Sequence, residues 1–233
     1  MKVGELFVMY GLDWSQYNKD EATAQRRVKK LGGTLSDMLK GALSFGLGIG
    51  LLQGLQSTGS IITNFFKSFV DQESSVLRVN DLFANASKYI TFFAENTAKS
   101  FGMAEADAYQ YAAVYGNLFR NITKNAEENA KLTIAMLKAS AIVASKTGRT
   151  MEDTMERIRS GLLGNTEAIE DLGIYVNVAM LEMTDAFKRI ANGRSWDKLN
   201  FYEQQQIRAL AILEQAHKNF GDSVTRSSAF LSQ

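Results

Sequence analysis

The sequence predicts a mainly α protein, and three observations carry that reading. Proline is absent from all 233 residues, so nothing kinks or breaks a helix from within. Apolar side chains recur at three- and four-residue spacing over most of the chain, the period of a helix with one buried face. Capping side chains open segment after segment, and glycine closes them. The architecture these features predict is an elongated helical assembly. It has one long glycine-containing helix, a bundle-like C-terminal half and at most two short strands.

The first strand candidate runs from Glu5 to Leu12, with Leu6, Val8 and Tyr10 on one side. Asp13 or Ser15 then caps a helix of about residues 15 to 31, which carries the basic cluster RRVKK at 26–30 and ends at Gly32-Gly33. The cluster reads as a solvated helix face, since Asp20, Glu21 and Asp37 stand nearby. From Thr34 or Ser36 no strong stop occurs before about Asn85. One uninterrupted helix of that extent is about 70 Å long.

Within it lies an uncharged run from Gly41 to Phe66, between Lys40 and Lys67. It is not a phosphate loop, because no lysine with Ser or Thr follows its glycines and a helix precedes them. Its 26 positions hold 12 apolar side chains, six glycines and eight polar groups, a marginal composition for a lone membrane span. Ala42, Gly46, Gly50 and Gly54 recur every four residues beside a stripe of Leu43, Leu47, Leu51 and Leu55. That pattern lets helix backbones approach closely, and it favours a helix-packing or oligomer seam over a membrane-capable segment or a hinge.

Downstream, Ser87 to Phe101 reads as a helix stopped by Gly102, and Ala104 to about Phe119 as the next, with Tyr111, Tyr115 and Leu118 near one face. Asn125 with Glu128 resembles a capping box, followed by a stripe of Leu132, Ala135, Met136, Ala139, Ile142 and Val143 up to Gly148. Thr150 with Asp153 caps a short helix ending near Ser160. Gly161, Gly164 and Gly173 then supply structural turns. Ile174 to Val178 is the second strand candidate, and one helix covers about Met180 to Ala191. The last helix starts near Asn200, with Glu203 as its box partner. It places Tyr202, Ala209, Leu213, Ala216 and Phe220 at three-four spacing, and Gly221 closes it. The organisation predicted is an N-terminal segment, 1–84, and a helical domain, 85–233.

Chemistry is sparse. The formal net charge is +1, so no net field draws nucleic acid or an anionic membrane, and sequence-specific nucleic-acid binding is not expected. No cysteine is present, which removes disulfides, thiolate metal sites and cysteine nucleophiles. His217 is the one histidine, and no serine or carboxylate is placed beside it by sequence. The acid pairs Glu127-Glu128 and Glu152-Asp153 suit first helical turns, where they complement the dipole. Adjacent residues on a helix point apart, so these pairs do not suit general acid/base work. The expectation is no enzyme, with no catalytic, cofactor-binding or metal residues. The opening apolar stretch is too short for a signal peptide.

One stretch carries more specificity. TGRTMEDTMERIRSGLLGNTEAIEDLGIYV, residues 147–176, has an SGLLGN-x-E-x3-DLGI core. It resembles a segment common near the N-terminus of tail tape measure proteins of bacteriophages and phage-tail-like bacteriocins. SFGMAEADAYQYAAVYGNLF (100–119) and NFGDSVTRSSAFLSQ (219–233) fit the same family, and GELFVMYGLDWSQYNKD looks like a tape measure beginning. The resemblance implies a structural virion protein that sets tail tube length during assembly and takes part in genome ejection. The partners implied are the tail tube protein, tail assembly chaperones and baseplate or tail-tip proteins. It further implies a homo-oligomer in the lumen of the tail tube, with host cytoplasm as the site of assembly and possible host membrane contact. Fully helical, 233 residues span about 350 Å, short for that family, so an N-terminal portion or an unusually short member is expected. The competing reading is a membrane-active, pore-forming helical protein that works through 41–66.

Overall fold

The computed structural model describes residues 74–221. The first strand candidate, the basic helix and the glycine tract with Ala42, Gly46, Gly50 and Gly54 lie outside the described residues, as does most of 219–233. Among the described residues 79% are helical, counting eight α-helices, the stretch 74–83 and the 3-10 and π turns, and no strand forms. The mainly α expectation is met.

A helical stretch, 74–83, ends where Ala84 takes a positive φ of 46° and opens a 3-10 turn, Ala84–Ala86. Helix α1 (Ser87–Phe92) follows, then a π turn (Phe93–Thr97) and a 3-10 turn (Ala98–Phe101). The expected 87–101 segment is therefore helical throughout but not uniformly α. Gly102, at φ 74°, stops it. Helix α2 (Glu105–Phe119) starts with Glu105 and Asp107 in its first turn, where acids complement the dipole.

Helix α3 (Ala126–Thr147) is the centre of the molecule and packs against α1, α2, α4 and α8. The predicted stripe from Leu132 to Val143 is buried, and so are Ala130, Ile134, Leu137, Ala141 and Ala144 on its other sides. A helix apolar all round belongs inside a core. Its start is a variant of the predicted box. Asn125 accepts from the Glu128 N–H at 2.9 Å, while Glu128 accepts from the Lys124 N–H at 3.0 Å. Gly148, at φ 69°, ends it, and the Arg149 N–H turns back to the Ala144 carbonyl.

Thr150 caps α4 (Met151–Leu162) by accepting from the Asp153 N–H. The helix runs two residues past the expected end at Ser160. Helix α5 (Thr166–Glu170) folds back on it. Residues 174–176 are extended but form no strand, which corrects the second strand candidate. Ile174 and Val176 are buried and Tyr175 points outward, the alternation of an extended chain. Its hydrogen-bond partner is a side chain, not another strand: Gln215 accepts from the Tyr175 N–H and donates to the Tyr175 carbonyl, both at 2.8 Å.

The single helix expected over Met180–Ala191 is two, α6 (Val178–Glu182) and α7 (Asp185–Ala191). Thr184 divides them. Its backbone is extended, its hydroxyl donates to Leu181 and accepts from the Phe187 N–H, and Glu214 accepts from the Asp185 and Ala186 N–H groups. Capping the second helix on its own thus satisfies the donors that one continuous helix would have used internally. A 3-10 turn (Trp196–Lys198) leads to α8 (Phe201–Phe220), opened by the full Asn200–Glu203 capping box and closed by Gly221. Ala209, Leu213 and Ala216 are buried as expected; Tyr202 turns outward, in edge contact with Phe201. Helices α3, α4 and α8 pack mutually, and that triangle positions the 147–176 segment.

Candidate functional site

The segment 147–176 forms a corner between α4, α5 and the extended residues 174–176, braced by α8. Gly161 lies in the last turn of α4, not between elements. A Cβ there would stand 2.5 Å from Ile169 Cδ1 and 2.9 Å from its Cβ, so the absent side chain is what lets α5 close on α4. Gly164 and Gly173 do occupy turns, with φ of 95° and 71°, where an L side chain is strained. Asn219 donates to the Gly173 carbonyl at 3.0 Å. Leu162, Ile169, Leu172 and Ile174 fill the space beneath.

Charge closes the outside of the same corner. Arg157 Nε donates to both Asp153 oxygens at 2.9 Å, and its Nη1 reaches Asp171 at 2.7 Å and the Ala168 carbonyl at 3.1 Å. Arg149 adds a bond to Asp153 at 3.0 Å. The hydrogen bond from Arg157, with Arg149 behind it, holds the Asp153 carboxyl below the usual carboxylate range.

Deeper in the core, the Tyr115 hydroxyl lies 3.2 Å from Ser140 Oγ and 3.3 Å from Met155 Sδ, and burial raises its pKa. Ser140 also donates to Met136 at 2.8 Å. No base stands in this cluster to activate either hydroxyl. Burial pushes Tyr109 and Tyr111 up to about 12. Lys138 sits 6.0 Å from the Phe93 ring centroid and 5.6 Å from that of Phe101, and desolvation lowers its pKa. His217 is half-buried in the last turn of α8. Among the described residues no three His, Asp or Glu side chains gather as a metal site, and no helix is long and apolar enough to cross a membrane.

Two close approaches were not singled out in sequence. Gly116, in the last turn of α2, lies against Phe83, with no room for a Cβ; a glycine inside a periodic helix is the available signal. Arg208 of α8 lies over the Gly164 turn and 5.0 Å from the Trp196 ring centroid, and nothing in its local sequence marks it. The fold and this corner define a mainly α domain whose most distinctive motif is used for packing and turn geometry. No family model, curated protein or solved structure matches the chain.

Proposed function

We propose that this is a structural virion protein, the tail tape measure protein of a bacteriophage or phage-tail-like bacteriocin. In this reading it sets tube length during assembly and takes part in genome ejection. One observation carries the reading. Five residues of SGLLGN-x-E-x3-DLGI have an architectural use: Gly161 for contact with Ile169, Gly164 and Gly173 for left-handed turns, Leu172 and Ile174 for core. A motif used this way suits a domain that is held in an assembly better than one that turns over a substrate. The partners would be the tube protein, the tail assembly chaperones and the baseplate or tail-tip proteins, and the location the tube lumen.

The test is genetic and structural. Particles purified before ejection should contain the chain and emptied ones should lose it. Deleting the gene should abolish tails or leave tubes of uncontrolled length. Normal tails of normal length without the chain would overturn the reading. For residues 41–66, replacing Gly46, Gly50 and Gly54 by leucine should weaken self-association without liposome leakage in either form. Leakage by the wild type that the leucine form retains would favour the pore-forming alternative.

A further inference from the structure

Two exposed surfaces of the described residues are apolar and opposite in charge. The first surrounds Arg208. Its guanidinium lies between the Trp196 ring, 5.0 Å away, and Gly164, where a Cβ would stand 3.4 Å from Nη2 and 3.5 Å from Cζ. Its Nε is buried with no acceptor, and no carboxylate among the described residues bonds its Nη atoms. The neighbouring cations are already matched, Arg194 with Glu203 and Lys198 with Asp197. Leu163, 55% exposed, precedes Gly164 in the chain. Phe201, 65% exposed, sits seven residues before Arg208 on the same helical face.

The second surface surrounds Glu182 at the end of α6. This carboxylate is exposed and has no ion-pair partner among the described residues. Val178, one turn earlier on the same face, is 43% exposed; Met183 beside it is 68% exposed and Tyr175 41%.

We propose that these surfaces bind each other between copies of the chain, with Glu182 of one copy closing on the Arg208 fork of the next. A single unmatched cation framed by apolar side chains does not suit a polyanion, which rewards many cations together. It suits one carboxylate set among apolar groups, and an arginine flanked by aromatics is the composition of a strong interface contact. If both pairs form at once between two copies the contact closes a two-fold dimer, and if one forms per pair of copies it propagates into a ring or filament. The pairing does not depend on the tail reading.

Sedimentation of the full chain tests it. Arg208→Glu and Glu182→Arg should each weaken self-association about tenfold or more, and the double exchange should restore it to within about threefold, since only a direct pair survives inversion. Phe201→Asp and Met183→Asp alter exposed side chains; each should weaken association with thermal melting unchanged, and they decide the matter should an Arg208 variant misfold. A wild type still monomeric at about 1 mM, single exchanges without effect, or a folded double exchange that fails to restore association would each overturn the pairing.

Discussion

Arg157 on α4 reaches Asp171, fourteen residues further along the chain, at 2.7 Å, while its Nε holds Asp153 on its own helix. One planar fork therefore ties the helix to the turn that follows α5. Lysine at 157 would keep the charge and lose the geometry.

Acid should act on this corner. A carboxyl whose folded pKa is depressed contributes stability above its unfolded value and loses it as pH falls through the folded value. Asp153 is held below 3.8 by Arg157 and Arg149, and Glu203 and Asp197 are depressed as well, by Arg194 and Ser195 respectively. The melting temperature should therefore stay level from neutral pH to about 5 and drop below about 4. Asp153→Asn should melt lower than wild type at neutral pH and lose less on acidification. Parallel curves for the two proteins would remove Asp153 from the account.

Gly161 and Gly173 should differ in what they tolerate. Gly161→Val drives a side chain into Ile169 and should cost about 1–3 kcal/mol or more by chemical denaturation. At Gly173 space is open, the nearest atom being Phe220 Cζ at 4.0 Å, and only the left-handed backbone objects. Asparagine tolerates that conformation, so Gly173→Asn should cost clearly less than Gly173→Val, about 1 kcal/mol or under. Equal losses at 173 would point to a steric rather than a backbone cause.

Thr154 is fully buried and its hydroxyl has no partner. Valine has the same shape without the unsatisfied oxygen, so Thr154→Val should leave stability unchanged or raise it by about 1 kcal/mol. A loss beyond about 1 kcal/mol would mean the hydroxyl is satisfied in solution.

Gln215→Leu should free both backbone groups of Tyr175 from their clasp. Hydrogen exchange at the Tyr175 amide should accelerate well above that of α3, with a global cost of about 1 kcal/mol. An amide that stays protected would show that packing of Ile174 and Val176 holds the segment by itself.

The helix starts at Asn125, Thr150 and Asn200 were legible because a cap and its donor are three residues apart, and the stops at Gly102, Gly148 and Gly221 because left-handed backbone favours glycine. The segment at 174–176 departs from the strand its sequence predicts for the opposite reason. Its alternation is real, but the group that pairs with it comes from Gln215, forty residues away. Local spacing reports an extended chain and not what lies beside it. Thr184 is hidden in the sequence because the apolar period continues across it, although Glu214 of α8 completes the cap. Arg208 was illegible altogether: its setting is made by Trp196 and Gly164, from two other parts of the chain.

Four amide side chains of α8 hold backbone rather than side chains: Gln204 the carbonyls of Trp196 and Leu199, Gln206 that of Ile122, Gln215 both groups of Tyr175, Asn219 that of Gly173. A peptide group is the same whatever residue carries it. The grip itself therefore dictates no side chain on the residues it holds, although Gly173 is fixed by its positive φ and Leu199 by burial. Among the held residues natural variation would then fall mainly on Tyr175, which faces outward, with 204, 206, 215 and 219 changing last.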